Sequence, residues 1–191
     1  MGEQIIWRGV TGVRTDNIKR EVARLKAKYR TSDPYELCEA VGIRISEQPM
    51  GTNNGACKGF LMVNARCKTA VINSDLPAEV RRIIVAHELG HGILHGSRSL
   101  KSFHEVTMYD DADPMEYEAN TFAAELLIDD DSFFSVLDQQ PSFYQAASTL
   151  LVPPELLDFK VRLLQKEGYQ LFAPRIAQSD FLKRDISKPM N

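Results

Sequence analysis

The sequence predicts an α+β fold: a small three-stranded sheet packed on one long helix, followed by a helical, helix-turn-helix-like annex. Three observations carry this expectation. Apolar residues recur at helical spacing on both flanks of the chain, the period shortens to alternation between Ile43 and Ile72, and capping residues, prolines and glycines fall where the period changes. A core over residues 1–132 (with 1–16 as an N-terminal extension), an annex over 133–170 and a tail over 171–191 follow from that pattern.

Ile18, Val22, Leu25 and Tyr29, with Lys and Arg between them, predict an amphipathic helix over 17–29 with a solvated basic face. Asp33-Pro34-Tyr35-Glu36 has the form of a capping box and opens a second helix, which Gly42 closes. Ile43-Arg44-Ile45 then alternates, and Gly51-Thr52-Asn53-Asn54-Gly55 is loop chemistry. Phe60 to Val63 and Thr69 to Ile72 are short β-prone runs expected to pair as a hairpin around Asn64-Ala65-Arg66. The long helix is expected to take Ser74 or Asp75 as its cap, to hold Pro77 near its first turn and to end near Gly96.

Residues 97–113 are polar and aromatic without a period, a loop of the kind that borders active sites. A second box, Asp113-Pro114-Met115-Glu116, opens a helix with the apolar stripe Ala119, Phe122, Ala123, Leu126 and Leu127, and Asp129-Asp130-Asp131 is read as its end. Pro141 and Ser142 precede a short helix over Phe143 to Leu150. Val152-Pro153-Pro154 turns the chain into a last helix that stops at Gly168.

Composition narrows the function classes. With 23 Lys and Arg against 26 Asp and Glu, the net charge of -3 gives no global case for a nucleic-acid or membrane partner. No basic region followed by an apolar run opens the chain, and no segment is long enough to span a bilayer, so a cytoplasmic protein is expected. Cys38, Cys57 and Cys67 are odd in number and lack C-x-x-C spacing, which suggests reduced thiols serving as small buried apolar residues.

The chemistry concentrates in Val85-Ala86-His87-Glu88-Leu89-Gly90-His91, an H-E-x-x-H pattern. On a helix, residues four apart share a face, so His87 and His91 can offer two imidazoles to one zinc ion with Glu88 beside the open position. Two polar histidines on an ordinary helix would give the same pattern, so a third ligand has to be found. His95 continues the spacing, but a straight helix carries successive i+4 residues away from a common ion, and the extended H-E-x-x-H-x-x-G-x-x-H form needs Gly where this chain has Leu94. A place beside the ligands or in the cleft wall suits His95 better. Glu116 and Glu118 are the stronger candidates. At about 100° per residue, Glu116 lies roughly 50° from the centre of the apolar stripe and Glu118 roughly 110° away. A carboxylate aimed at a partner helix is costly unless it is paired or bound to metal, which favours Glu116, although it could instead cap its own helix. Asn120, one turn on, could orient Glu116 or an imidazole.

With these residues in place the sequence resembles the ImmA/IrrE family of metallopeptidases. The likeness runs through Tyr29-x-Thr31-x-Asp33-Pro34-Tyr35 to Gly42-Ile43, through Arg81 to His91, and through Glu116-Tyr117-Glu118-Ala119-Asn120-Thr121-Phe122-Ala123-Ala124-Glu125-Leu126-Leu127. The family form Glu-x-x-Ala-Asn-x-Phe-Ala aligns its ligand Glu on Glu116. Departures are small: Ile128-Asp129 replaces a usual Met-Pro, and Pro153-Pro154 stands where a Ser usually opens the final helix.

The resemblance implies a minimal gluzincin-like core holding one catalytic Zn2+, with Mn2+ as the alternative ion, on His87, His91 and Glu116, and Glu88 as proton carrier. It also implies a helix-turn-helix repressor, encoded nearby, as the substrate. An oxyanion donor could come from His95, His104, Tyr109 or Tyr117, and the sequence does not choose among them. The terminal helices, residues 143–168, themselves look like a helix-turn-helix and open a second reading, a DNA-binding or repressor-binding adaptor. Glu155 and Asp158 at the start of the would-be recognition helix disfavour direct DNA contact.

Overall fold

The computed structural model describes residues 16–53, 55–64, 67–96 and 114–174. The expected N-terminal extension, the hairpin tip Ala65-Arg66, the loop over 97–113 with its capping Asp113, and the tail from 175 lie outside the described residues. Within them the fold is mixed α/β, with one three-stranded sheet and seven helices.

Helix α1 (Asp16–Tyr29) buries Val22 and Leu25. Helix α2 (Pro34–Ala40) follows, its N-terminus capped by Asp33, whose carboxylate accepts from the Tyr35 and Glu36 N–H groups at 2.9 and 3.2 Å. Strands β1 (Ile43–Gln48), β2 (Gly59–Asn64) and β3 (Cys67–Asn73) form a sheet of order β1-β3-β2. β2 and β3 are the expected antiparallel hairpin, with Asn64 opposite Cys67. β1 runs parallel to β3, with Ile43 opposite Lys68. β2 is therefore an edge strand. Because the Asn73 N–H donates to the Lys58 carbonyl at 2.9 Å, the ladder alternates so that Phe60 and Met62 face β3, while the backbone groups of Gly59, Leu61 and Val63 face outward.

Asn73 also fixes the loop before β2. Fully buried, it donates to the carbonyls of Gly51 (2.7 Å) and Cys57 (2.9 Å) and accepts from the N–H groups of Met50 and Asp75, so all four amide hydrogen-bonding positions are used.

Helix α3 (Ala78–Leu94) lies between the sheet and helix α4 (Pro114–Leu127). Two glycines permit this double contact. A Cβ on Gly92 would lie 2.5 Å from Ile43 Cδ1 on the sheet side, and one on Gly90 would lie 3.2 Å from Ala119 Cα and from Phe122 on the α4 side. The expected cap of α3 is not found. Its N-cap is Pro77 without a side-chain bond, because the Asp75 carboxylate accepts from the Gly51 N–H at 2.7 Å instead.

Helix α4 is buried on more than the expected stripe: every residue from Ala119 to Leu126 is buried, since α1, α3 and α7 all pack on it. The aspartate run is a boundary rather than only a stop. Asp129 caps an additional helix, α5 (Asp130–Leu137), by accepting from the Ser132 N–H at 3.1 Å. Helix α6 (Phe143–Thr149) opens on a reciprocal capping box between Ser142 and Gln145, and α7 (Pro154–Lys166) closes the described chain's helices.

Leu171, at the expected start of the tail, is buried, and its carbonyl accepts from Gln165 Nε2 at 2.6 Å. Of the cysteines only Cys38 is buried. Cys57, in the loop before β2, and Cys67, beside the hairpin tip, are exposed, contrary to expectation.

α7 is tied to the core by charge as well as packing. Lys160 is fully buried and ion-pairs with Glu125 of α4 at 2.5 Å and with Asp130 of α5. Lys19 of α1 extends the cluster to Asp130 (2.7 Å) and Glu167 (2.9 Å).

Candidate metal centre

The helical period of α3 sets His87 and His91 one turn apart on the side that meets α4. Both are buried, at 5% and 6% exposure, and their rings meet edge to face with Nε2 atoms 3.0 Å apart. Glu116, in the first turn of α4, points its carboxylate at the pair, 3.5 Å from His87 Nε2 and 3.4 Å from His91 Nε2. Two nitrogens and a carboxylate oxygen thus converge from two helices.

The donor set fits a tetrahedral ion. With bonds near 2.0–2.1 Å, ligand atoms around zinc stand about 3.3 Å apart, close to the separations observed. The Nδ1 atoms of both rings are buried without a hydrogen-bond partner among the described residues, so these imidazoles are engaged only on the side where Glu116 waits. Glu118, the other candidate, is half exposed and lies 3.7 Å from His95 Nδ1, away from the histidine pair.

The two carboxylates nearest the pair are tuned oppositely. Burial pushes the Glu88 carboxyl up to about 7; the charge of Glu116 adds to this, while His91 and a hydrogen bond from the Leu61 backbone N–H oppose it. Burial also raises Glu116, but hydrogen bonds and charge from His87 and His91 outweigh it and hold the carboxyl well below the usual range. Two carboxylates whose environments drive them apart suit one to proton transfer and the other to ligation. Glu88 is also beside the sheet edge, since the Leu61 N–H that reaches it belongs to the outward-facing set of β2.

Of the remaining site candidates, Asn120 is fully buried one turn beyond Glu116. His95 is the C-cap of α3 and reaches the Met115 carbonyl at 3.1 Å. Tyr117 turns toward α7, its ring 5.5 Å from that of Phe159 and under the Lys166 ammonium. Tyr109 and His104 lie outside the described residues. Sequence reasoning missed the Leu61 N–H and the contact glycine Gly90, although the second is visible as a small residue between two ligand candidates.

Comparison with known proteins gives the family of the chain. The family model of the IrrE N-terminal-like domain, a peptidase family, matches residues 38–162. The chain belongs to the ImmA/IrrE family of metallopeptidases. It is 25% identical over 171 residues to Metallopeptidase ImmA of Bacillus subtilis (strain 168), covering 88% of this chain and 98% of that one. It is 41% identical over 113 residues to the "Uncharacterized immunity region protein 2" of Bacillus phage phi105, covering 59% of this chain and 69% of the phage protein. The matched span of the family takes in all three strands and both helices of the candidate centre. No helix among the described residues is long and apolar enough to cross a membrane.

Proposed function

We propose that this metallopeptidase is a zinc-dependent endopeptidase that cleaves a helix-turn-helix repressor encoded nearby and so relieves repression. The observation that carries the reading is the convergence of His87, His91 and Glu116 beside a buried Glu88 and the edge strand β2. His87, His91 and Glu116 would hold the ion. Once bound, it supplies Lewis acidity toward the scissile carbonyl and the attacking water.

The chain's own residues supply the rest. Glu88, with its carboxyl near 7, takes a proton from the attacking water and delivers it to the departing amine as the C–N bond breaks. The remaining outward groups of β2, those of Gly59 and Val63 and the Leu61 carbonyl, receive an extended substrate as an added strand, which brings its main chain past Glu88, itself held by the Leu61 N–H. Asn120 steadies Glu116 or an imidazole from the far side. Of the relatives, one bears the name metallopeptidase and the other that of a phage immunity region, and both support a substrate within such a control circuit. Three free cysteines suit a reducing cytoplasm.

The competing reading is an adaptor that binds DNA or a repressor through residues 143–168 without proteolysis. α7 disfavours the DNA form: Leu156 to Val161 are buried in an unbroken run, so the first half of the helix, which would read the groove, is docked on the core. The deciding experiment incubates the zinc-loaded protein with the neighbouring repressor, alongside a chelated sample and a Glu88→Gln variant. Discrete fragments should appear with wild type alone, and Glu88→Gln should lose about 10²- to 10⁴-fold in rate. An intact repressor in the wild-type reaction, together with derepression by Glu88→Gln in cells, would refute the peptidase reading.

A further inference from the structure

His87, His91 and His95 form an i, i+4, i+8 series on α3, and each step rotates about 40° around the helix. The drift that takes His95 away from the ion carries it over the beginning of α4. Its side chain is only 7% exposed, its ring lies 5.4 Å from that of His91, and its Nε2 sits 3.1 Å from the Met115 carbonyl. Its Nδ1 faces Glu118 at 3.7 Å. The two residues it meets on α4, Met115 and Glu118, lie on either side of Glu116. His95 thus touches one proposed ligand by ring contact and brackets the turn that bears another.

We propose that His95 is a positioning residue that clasps the first turn of α4 and thereby sets Glu116 against His87 and His91. The proposal rests on reading Glu116 as a ligand. The physical logic is that Glu116 is the one donor of the three supplied by a separate helix, and it comes from that helix's first turn, where the first amides have no helical acceptor and the turn is held least by its own bonds. A buried Nε2–H donating to the Met115 carbonyl locks that turn to the same α3 that carries both imidazoles. The Met115 bond is the anchoring contact. The partner at Nδ1 is long and half exposed, so it contributes little.

Three variants test this: His95→Leu, which keeps the bulk and removes the donor; His95→Gln, which keeps a donor; and Glu118→Ala. Two measurements are made. In the metal-free protein, hydrogen exchange is followed at the amides of Ala119 to Thr121, whose helical acceptors are the carbonyls of Met115 to Tyr117. In parallel, zinc affinity is measured by chelator competition. His95→Leu should exchange faster at these amides, with α7 unchanged, and should bind zinc about 10- to 100-fold more weakly. His95→Gln should recover most of both properties, and Glu118→Ala should resemble wild type. Wild-type exchange and affinity in His95→Leu would overturn the proposal, as would a His95→Gln variant no better than His95→Leu. Because the exchange measurement needs no metal, a wild-type protein that fails to bind zinc would refute the metal reading while the exchange result still decides the clasp.

Discussion

Replacing Gly90 by Ala opposes two effects of similar size. An alanine inside α3 should strengthen the helix by about 1 kcal/mol relative to glycine. Its Cβ, however, would stand 3.2 Å from Ala119 Cα and from the Cβ and Cδ1 of Phe122, tighter than ordinary contact. Phe122 can turn a little, but Ala119 Cα is backbone and moves only with α4. Overpacking of this kind costs about 1–3 kcal/mol, so Gly90→Ala should range from neutral to about 2 kcal/mol destabilising. The more telling effect is on geometry, because α3 carries His87 and His91 and α4 carries Glu116. A few tenths of an ångström between the helices adds directly to separations now 3.4 and 3.5 Å, and zinc affinity should fall. Gly92→Ala is the control. Its Cβ meets Ile43 Cδ1 at 2.5 Å, on the sheet side, so it should cost stability and leave zinc affinity unchanged. Urea denaturation of the metal-free variants and zinc competition measure the two quantities separately. A Gly90→Ala protein that gains the full helical increment and binds zinc as tightly as wild type would refute the close approach of the two helices.

Other outcomes follow from the same structure. Glu116→Ala should abolish stoichiometric metal by elemental analysis, whereas Glu118→Ala should retain it; the reverse pattern would reassign the third ligand. Lys160→Met strands the buried Glu125 carboxylate and should cost about 3–5 kcal/mol in urea denaturation, while the double variant with Glu125→Leu should recover most of that loss. Equal stability of the single and double variants would contradict a buried pair. Burial raises the Asp130 carboxyl, but bonds from Lys160 and Lys19 outweigh it and lower its pKa below 3.8 in the folded chain. Its stabilising contribution is therefore present above 3.8 and is lost as pH falls through the depressed folded value. Asp130→Asn should flatten the acid limb of a stability profile below that pH, and an unchanged limb would remove this carboxylate from the account.

Local signals were legible and distant ones were not. The i, i+4 histidines, the Asp33 cap and the β2–β3 hairpin depend on neighbours in sequence, and each was readable there. Helical phase directed attention to Glu116 over Glu118, and the structure brings Glu116 to the imidazoles because α4 docks its first turn against α3. The parallel pairing of β1 with β3 joins segments separated by a loop and by β2, and no periodicity encodes it. Asp75 was misread as a cap because its partner, the Gly51 N–H, comes from another loop. Three consecutive aspartates look like the end of one helix, yet Asp129 begins another. Lys160 sits in an apolar run, where a lysine ordinarily reaches solvent; its burial depends on carboxylates contributed by α4 and α5.

Helix α4 has neighbours on three sides, with Glu116 near one end and Glu125 near the other. It is the common wall of two sites, the charge cluster around Lys160 and the candidate metal centre, held apart by an unbroken buried segment from Ala119 to Leu126. A wall shared in this way cannot be remodelled for one tenant alone. Changes selected to alter what the site accepts must leave the far end able to seat Lys160, so variation in specificity should be sought off α4, at exposed side chains of the edge strand such as Met62.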